Sequence, residues 1–124
     1  MISIIDDDAS VRAAIGNLLQ SLSYVVHTFE SADEFLRSDH LDDTSCVVAD
    51  VNMPAMSGVE LLELLRNRGM RVPFIFITGF PDETTRARAY SAGALGFLTK
   101  PFDRGHLIQY LEQALRPDGG NADR

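Results

Sequence analysis

Short apolar runs alternate five times with apolar positions at helical spacing along this chain, the pattern of a parallel sheet covered by helices on both faces. The runs are Ile2 to Ile5, Tyr24 to Phe29, Cys46 to Ala49, Phe74 to Thr78 and Gly96 to Thr99. Runs this short, rich in Val, Ile and Phe, read as strands. Between them Val11, Ile15, Leu18, Leu19 and Leu22 recur at helical spacing, as do Val59, Leu62 and Leu65, and then Leu107, Ile108, Leu111 and Leu115. These positions predict the inward faces of the first, third and fifth helices. Start signals agree: Ser31 with Glu34 and Ser57 with Glu60 fit the Ser-x-x-Glu capping box, and Asp8, Asp82 and Asp103 suit N-caps. Gly69 and Gly93 stand where a left-handed residue commonly closes a helix. The fourth helix, about Glu83 to Ala92, offers an inward face that is mostly alanine with Tyr90. So thin a stripe predicts weak docking, and weakly docked elements move.

The chain has 124 residues, 45% of them apolar and 23% charged, enough to bury a core as one domain without disulfides or a structural metal. That domain is expected over 1–116. The polar, Gly-containing run Pro117-Asp118-Gly119-Gly120-Asn121-Ala122-Asp123-Arg124 reads as a disordered tail or the start of a linker. A net charge of -7 argues against binding nucleic acid through a general basic face. The lone cysteine, Cys46, lies inside an apolar run and reads as a small buried hydrophobe, which makes a reducing cytoplasm the default compartment. Met1 leads at once into a strand pattern, and no apolar stretch of about 18 residues occurs. Neither an export signal nor a membrane span is expected.

In an open sheet of this kind, ligands bind in the crevice outside the carboxyl ends of the strands. Those ends carry Asp6 and Asp7, then Asp50, then Thr78, then Lys100. Taken singly each is ordinary: an Asp after a strand commonly serves a turn or a cap, Thr78 a strand, Lys100 a solvated surface. Taken together they supply acids for a metal, a hydroxyl donor and one cation. Two carboxylates about 4 Å apart repel by roughly 4 kcal/mol at an effective dielectric near ~20, so the acids call for a cation. An oxygen-only ligand set suits Mg²⁺ or Ca²⁺ better than zinc. The set can be assembled into phosphoryl chemistry, with Asp50 as a carboxylate nucleophile and Thr78 and Lys100 on the phosphoryl oxygens. His27, His40 and His106 are isolated in sequence and read as surface or partly buried histidines.

The stretches that carry these residues are Ile4-Ile5-Asp6-Asp7-Asp8, Val48-Ala49-Asp50-Val51-Asn52-Met53-Pro54 with Ser57-Gly58, Phe76-Ile77-Thr78-Gly79 and Phe97-Leu98-Thr99-Lys100-Pro101-Phe102. Together, and over about Ile2 to Leu115, they resemble the response-regulator receiver domain, the CheY-like phosphoacceptor module of two-component signalling. The resemblance implies a flavodoxin-like, doubly wound (βα)5 fold with a five-stranded parallel sheet in the order 2-1-3-4-5. It implies that Asp50 takes a phosphoryl group from the phosphohistidine of a sensor histidine kinase or phosphotransfer protein. By the same resemblance Mg²⁺, or Mn²⁺ in its place, is held by Asp7, Asp50 and the backbone carbonyl of Asn52, with Asp6 supporting the ion through water. Lys100 would pair with the phosphate from a cis Lys100-Pro101 bond, and Thr78 and Phe97 would be the switch residues. Helix four, strand five and helix five would form the surface that changes, including a homodimer contact on phosphorylation. Catalysis would be limited to the domain's own phosphorylation and dephosphorylation.

Gly79 and the Lys100-Pro101-Phe102 ending are similar to receivers of nitrogen-fixation-type helix-turn-helix regulators, which implies a transcriptional context without direct nucleic-acid binding by this domain. Phe80 is expected either over the site or at a partner surface. Asn52 stands two residues past the acceptor, where variation in the family influences how quickly the acyl phosphate hydrolyses. Among the alternatives, an aspartate-nucleophile phosphohydrolase of the haloacid dehalogenase type wants a second acid at the position of Asn52 and room for a cap domain. A nucleotide binder would find phosphate repelled by Asp6 to Asp8. A non-phosphorylated interaction module would not need the intact set Asp6, Asp7, Asp50, Thr78 and Lys100.

Overall fold

Five parallel strands form a single sheet in the order β2-β1-β3-β4-β5, the order expected. The computed structural model describes residues 1–116; the expected tail or linker over 117–124 lies outside the described residues. Along the chain the elements are β1 (Ile2–Ile5), α1 (Ala9–Ser21), β2 (Val26–Phe29), α2 (Ala32–Leu36), β3 (Cys46–Asp50), α3 (Gly58–Asn67), β4 (Phe74–Thr78), α4 (Glu83–Ser91), β5 (Gly96–Thr99) and α5 (Arg104–Ala114).

Alternation along the strands divides the core between two faces, because successive side chains point to opposite sides of a sheet. Ile2, Ile4, Val48, Ile75 and Ile77 pack with Ile15 and Leu19 of α1 and Leu107 and Leu111 of α5. Ile5, Val47, Ala49, Phe74 and Phe76 pack on the other face with Phe35 of α2, Leu61, Leu62 and Leu65 of α3 and Ala89 of α4. β1, β3 and β4 are buried on both sides throughout, which is why their sequences are near-continuous apolar runs. Cys46 is fully buried, and burial pushes its thiol up to about 12, so it is inert at neutral pH.

The caps form as the sequence predicts, with one variation. Asp8, Asp82 and Asp103 each accept from backbone N–H groups in the first turns of α1, α4 and α5. Ser57 and Glu60 make a complete capping box. Ser31 accepts from the Glu34 N–H, but the Glu34 carboxylate reaches one residue further back, to the Glu30 N–H at 2.6 Å. Gly69 and Gly93 have φ of 82° and 103°, the left-handed helix closures expected.

Four expectations need correction. β2 starts at Val26 and not at Tyr24, because α1 ends through Ser23, whose φ is 74°, and the Tyr24 N–H is spent on Leu19 O at 3.1 Å. Leu22 caps α1 and is 41% exposed, so the inward face of α1 stops one turn sooner. In α4 only Ala89 is buried. Tyr90 turns outward and carries the Arg86 guanidinium over its ring, 5.2 Å from the centroid. Helix α4 ends at Ser91 with Ala92 as its cap.

Candidate functional site

Register brings the polar strand ends to one place. Ile5 is paired with Ala49 across β1 and β3, so the next residues, Asp6 and Asp50, emerge side by side. Asp50 is in turn paired with Ile77, and Thr78 with Thr99, which puts Thr78 and Lys100 at the same edge. Lys100 is anchored there by its N–H, which donates to Thr78 O at 2.8 Å. The Lys100–Pro101 peptide is cis.

Asp6 and Asp50 are buried, at 2% and 7% exposure, while Asp7 faces solvent. Each of the three offers a carboxylate oxygen, and those oxygens lie within 4.8 Å of one another. The Lys100 ammonium lies 3.4 Å from Asp6 and 3.8 Å from Asp50. One lysine cannot compensate three acids. Burial above all, and then the Asp6 charge, push the Asp50 carboxyl up to about 6, against the opposing pull of Lys100 and of the Asn52 N–H. Asp8 sits apart in role: its carboxylate caps α1, and its own N–H donates to Asp6 Oδ1 at 2.9 Å.

The donor set fits a hard divalent cation. It is all oxygen and it converges on one point, and burial together with the neighbouring Asp6 charge raises the Asp50 carboxyl. Asp7, Asp8, Val11, Asp50, Asn52, Gly79, Phe80 and Lys100 line an open cavity of about 370 Å³ above these groups. Phe80 stands at its rim, 82% exposed.

Thr78 is completely buried, and its hydroxyl oxygen accepts from Asn52 Nδ2 and from the Phe80 N–H, both at 3.1 Å. Phe97 is half-buried beside Phe76, with ring centroids 6.4 Å apart. The Asn52 N–H donates to Asp50 Oδ1 at 3.2 Å.

Three contacts escaped the sequence reading. Arg12, one turn into α1, donates from Nη1 to the Asp6 carbonyl at 2.7 Å and so braces the strand end that presents the acids. The Asn52 side-chain amide reaches across the site to Thr78. Gly58 lies so close to the end of β3 that a Cβ there would run into the Asp50 carbonyl oxygen and come within 2.9 Å of the Phe76 ring. Of these, Arg12 had no signal, whereas Asn52 and Gly58 stand in the stretches that carry the family resemblance. His106 is exposed, but His27 and His40, isolated in sequence, stack with ring centroids 3.7 Å apart, remote in the fold from the strand ends.

Among the described residues no helix is long and apolar enough to cross a membrane. The family model for the response regulator receiver domain matches residues 2–112. The transcriptional regulatory protein TdiR of Thauera aromatica is 40% identical over 121 residues, covering 98% of this chain and 53% of TdiR. The transcriptional regulatory protein FixJ of Bradyrhizobium diazoefficiens is 38% identical over 117 residues, covering 93% of this chain and 56% of FixJ. The chain thus spans about half the length of the curated relatives it matches. The crystal structure of a response regulator receiver protein from Pseudoalteromonas atlantica superposes with a TM-score of 0.85 at 32% identity, covering 92% of this chain and 95% of that one.

Proposed function

From the premise that this chain belongs to the response regulator receiver domain family, we propose that Asp50 is its phosphoacceptor and that the phosphoryl donor is a phosphohistidine on a sensor histidine kinase or phosphotransfer protein. A carboxylate oxygen of Asp50 attacks phosphorus, the bond from phosphorus to the donor imidazole nitrogen breaks, and an acyl phosphate forms as the imidazole regains a proton. Asp6, Asp7, Asp50 and the Asn52 carbonyl would hold Mg²⁺, or Mn²⁺ in its place. When bound, that ion neutralises charge between nucleophile and phosphoryl oxygens. Lys100 neutralises another phosphoryl oxygen. The Thr78 hydroxyl donates to another, and Phe97 turns inward as Thr78 moves.

The observation that carries this reading is the convergence, on one crevice, of a buried and electrostatically frustrated Asp50 with two further acids, one lysine and a buried threonine hydroxyl. Catalysis is confined to the domain's own phosphorylation and hydrolysis. The changed surface is α4, β5 and α5, where a homodimer or an output domain binds, and the setting is cytoplasmic control of transcription, as the names of the relatives suggest. A phosphohydrolase of the dehalogenase type is disfavoured, since the position it needs as an acid is Asn52.

The test is incubation with Mg²⁺ and acetyl phosphate, followed by intact mass. Wild type should gain a hydroxylamine-labile phosphate that Asp50→Asn does not. Equal adducts on both proteins, or none on wild type, would overturn the assignment.

A further inference from the structure

Thr78 has one proton and two lone pairs on its hydroxyl, and both lone pairs are occupied at rest, by Asn52 Nδ2 and by the Phe80 N–H. The Phe80 bond joins residues two apart in one tight turn. The Asn52 bond spans 26 positions and ties the loop after β3 to the end of β4. We infer that the Asn52 side-chain amide is a latch that holds the switch threonine in its resting position until Asp50 is modified. The inference rests on the phosphoacceptor reading above.

The balance of exposure sets the direction of the latch. Asn52 is exposed and Thr78 is fully buried. When the bond breaks, water can satisfy the amide but not the hydroxyl oxygen. The hydroxyl oxygen then keeps only the Phe80 N–H, and a buried acceptor that loses a donor which water cannot replace costs free energy. Thr78 therefore leaves Asn52 only when a new bond offsets that loss, and a phosphoryl oxygen on Asp50 offers one by accepting the hydroxyl proton, not by refilling the lone pair that Asn52 vacates. Asn52 is also the residue whose N–H holds Asp50 Oδ1. One residue thus touches both the acceptor and the switch, and any shift of the Asp50 carboxylate on modification is passed to the amide through its own backbone.

Asn52→Leu tests this, because leucine keeps the branched outline of asparagine and removes the amide. The readout is the resting position of the switch in metal-free protein, followed by NMR of the Thr78 methyl and the Phe97 ring, with wild type saturated with Mg²⁺ and beryllofluoride as the active reference. Asn52→Leu should move the resting signals toward the active reference, with the switch equilibrium changed about fivefold, as one ordinary hydrogen bond carries. Asn52→Gln, which restores an amide on a longer stem, should recover part of the shift. In a Thr78→Val background Asn52→Leu should change nothing further, since the acceptor is gone. Resting signals unmoved by Asn52→Leu, while wild type still responds to beryllofluoride, would overturn the latch and leave the phosphoacceptor reading standing. A wild type that does not respond to beryllofluoride at all would overturn both.

Discussion

Lys100 is closer to Asp6 than to Asp50: its ammonium is 3.4 Å from the first carboxylate and 3.8 Å from the second. At rest the single site lysine is shared, and the group left short of compensation is Asp50. That imbalance is what a bound cation would relieve, and it makes the Asp50 carboxylate a destabilising element of the metal-free fold.

The sign of that effect is testable. Asp50 has a carboxyl raised from its ordinary value to about 6, so the folded state holds this proton more tightly than the unfolded chain. Stability therefore falls as pH rises between about 4 and 6, and the penalty is fully present above that window. Asp50→Asn removes the charge and should raise the metal-free Tm at pH 7.5 by a few degrees, for a gain of roughly 1–2 kcal/mol, less than the full shift implies because solvent screens part of the site. Thermal melts in chelator at pH 7.5 and pH 4 should show the advantage of Asp50→Asn shrinking toward zero in acid. An advantage that grew in acid would contradict the charge cluster.

Divalent metal should reverse the ranking. The acids are on separate elements, Asp6 and Asp7 after β1 and Asp50 at the end of β3, and their convergence exists only in the folded chain. Mg²⁺ at a hundred times its Kd should stabilise wild type by about 2.7 kcal/mol. Asp7→Asn, which alters the exposed member of the trio, should lose most of this gain while keeping the metal-free Tm nearly unchanged. A magnesium titration followed by differential scanning calorimetry measures both.

Gly58 is predicted to be the least tolerant glycine near the site. A Cβ at this position meets the Asp50 carbonyl oxygen and the Phe76 ring, and the obstacle is backbone and a buried ring in the core, neither of which can swing aside. Gly58→Ala should cost about 1–3 kcal/mol in urea denaturation, the usual range for overpacking. Because the clash falls on the peptide of Asp50, the proposed acceptor, the variant should also take up phosphate from acetyl phosphate more slowly. The same substitution at Gly69, where no atom lies within 4 Å but φ is 82°, would tax only the backbone conformation.

The strands and their chemistry were legible because both follow from local pattern. Strands buried on two faces must be apolar throughout, and the polar residue that ends each one marks the crevice: Asp6, Asp50, Thr78 and Lys100 were readable for that reason. The start of β2 was not, since nothing marks Ser23 as left-handed when it is neither Gly nor Asn. Tyr90 was misread because a helix with a single buried residue has almost no periodic signal to give. The stacking of His27 on His40 and the bond from Asn52 to Thr78 join distant segments, so they depend on loop paths that no spacing encodes.

The thin face of α4 leads to the last prediction. α3 buries Val59, Leu61, Leu62 and Leu65 against the sheet, whereas α4 buries Ala89 alone. Its strongest side-chain tie is Arg88, which grips Glu63 of α3 through Nε and Nη2 at 2.8 and 2.6 Å, and this pair is solvent-exposed and open to screening. Helix α4 should thus open by local unfolding well below the global stability. Hydrogen exchange by mass spectrometry should show peptides from Glu83–Ser91 exchanging at least tenfold faster than those from Gly58–Asn67. Glu63→Gln, which weakens the charged grip without touching the core, should widen the gap, as should raising the salt concentration. Exchange in α4 as slow as in α3 would mean that the helix is held more firmly than its single buried alanine allows, and a switch surface that depends on its movement would then lack the loose element it requires.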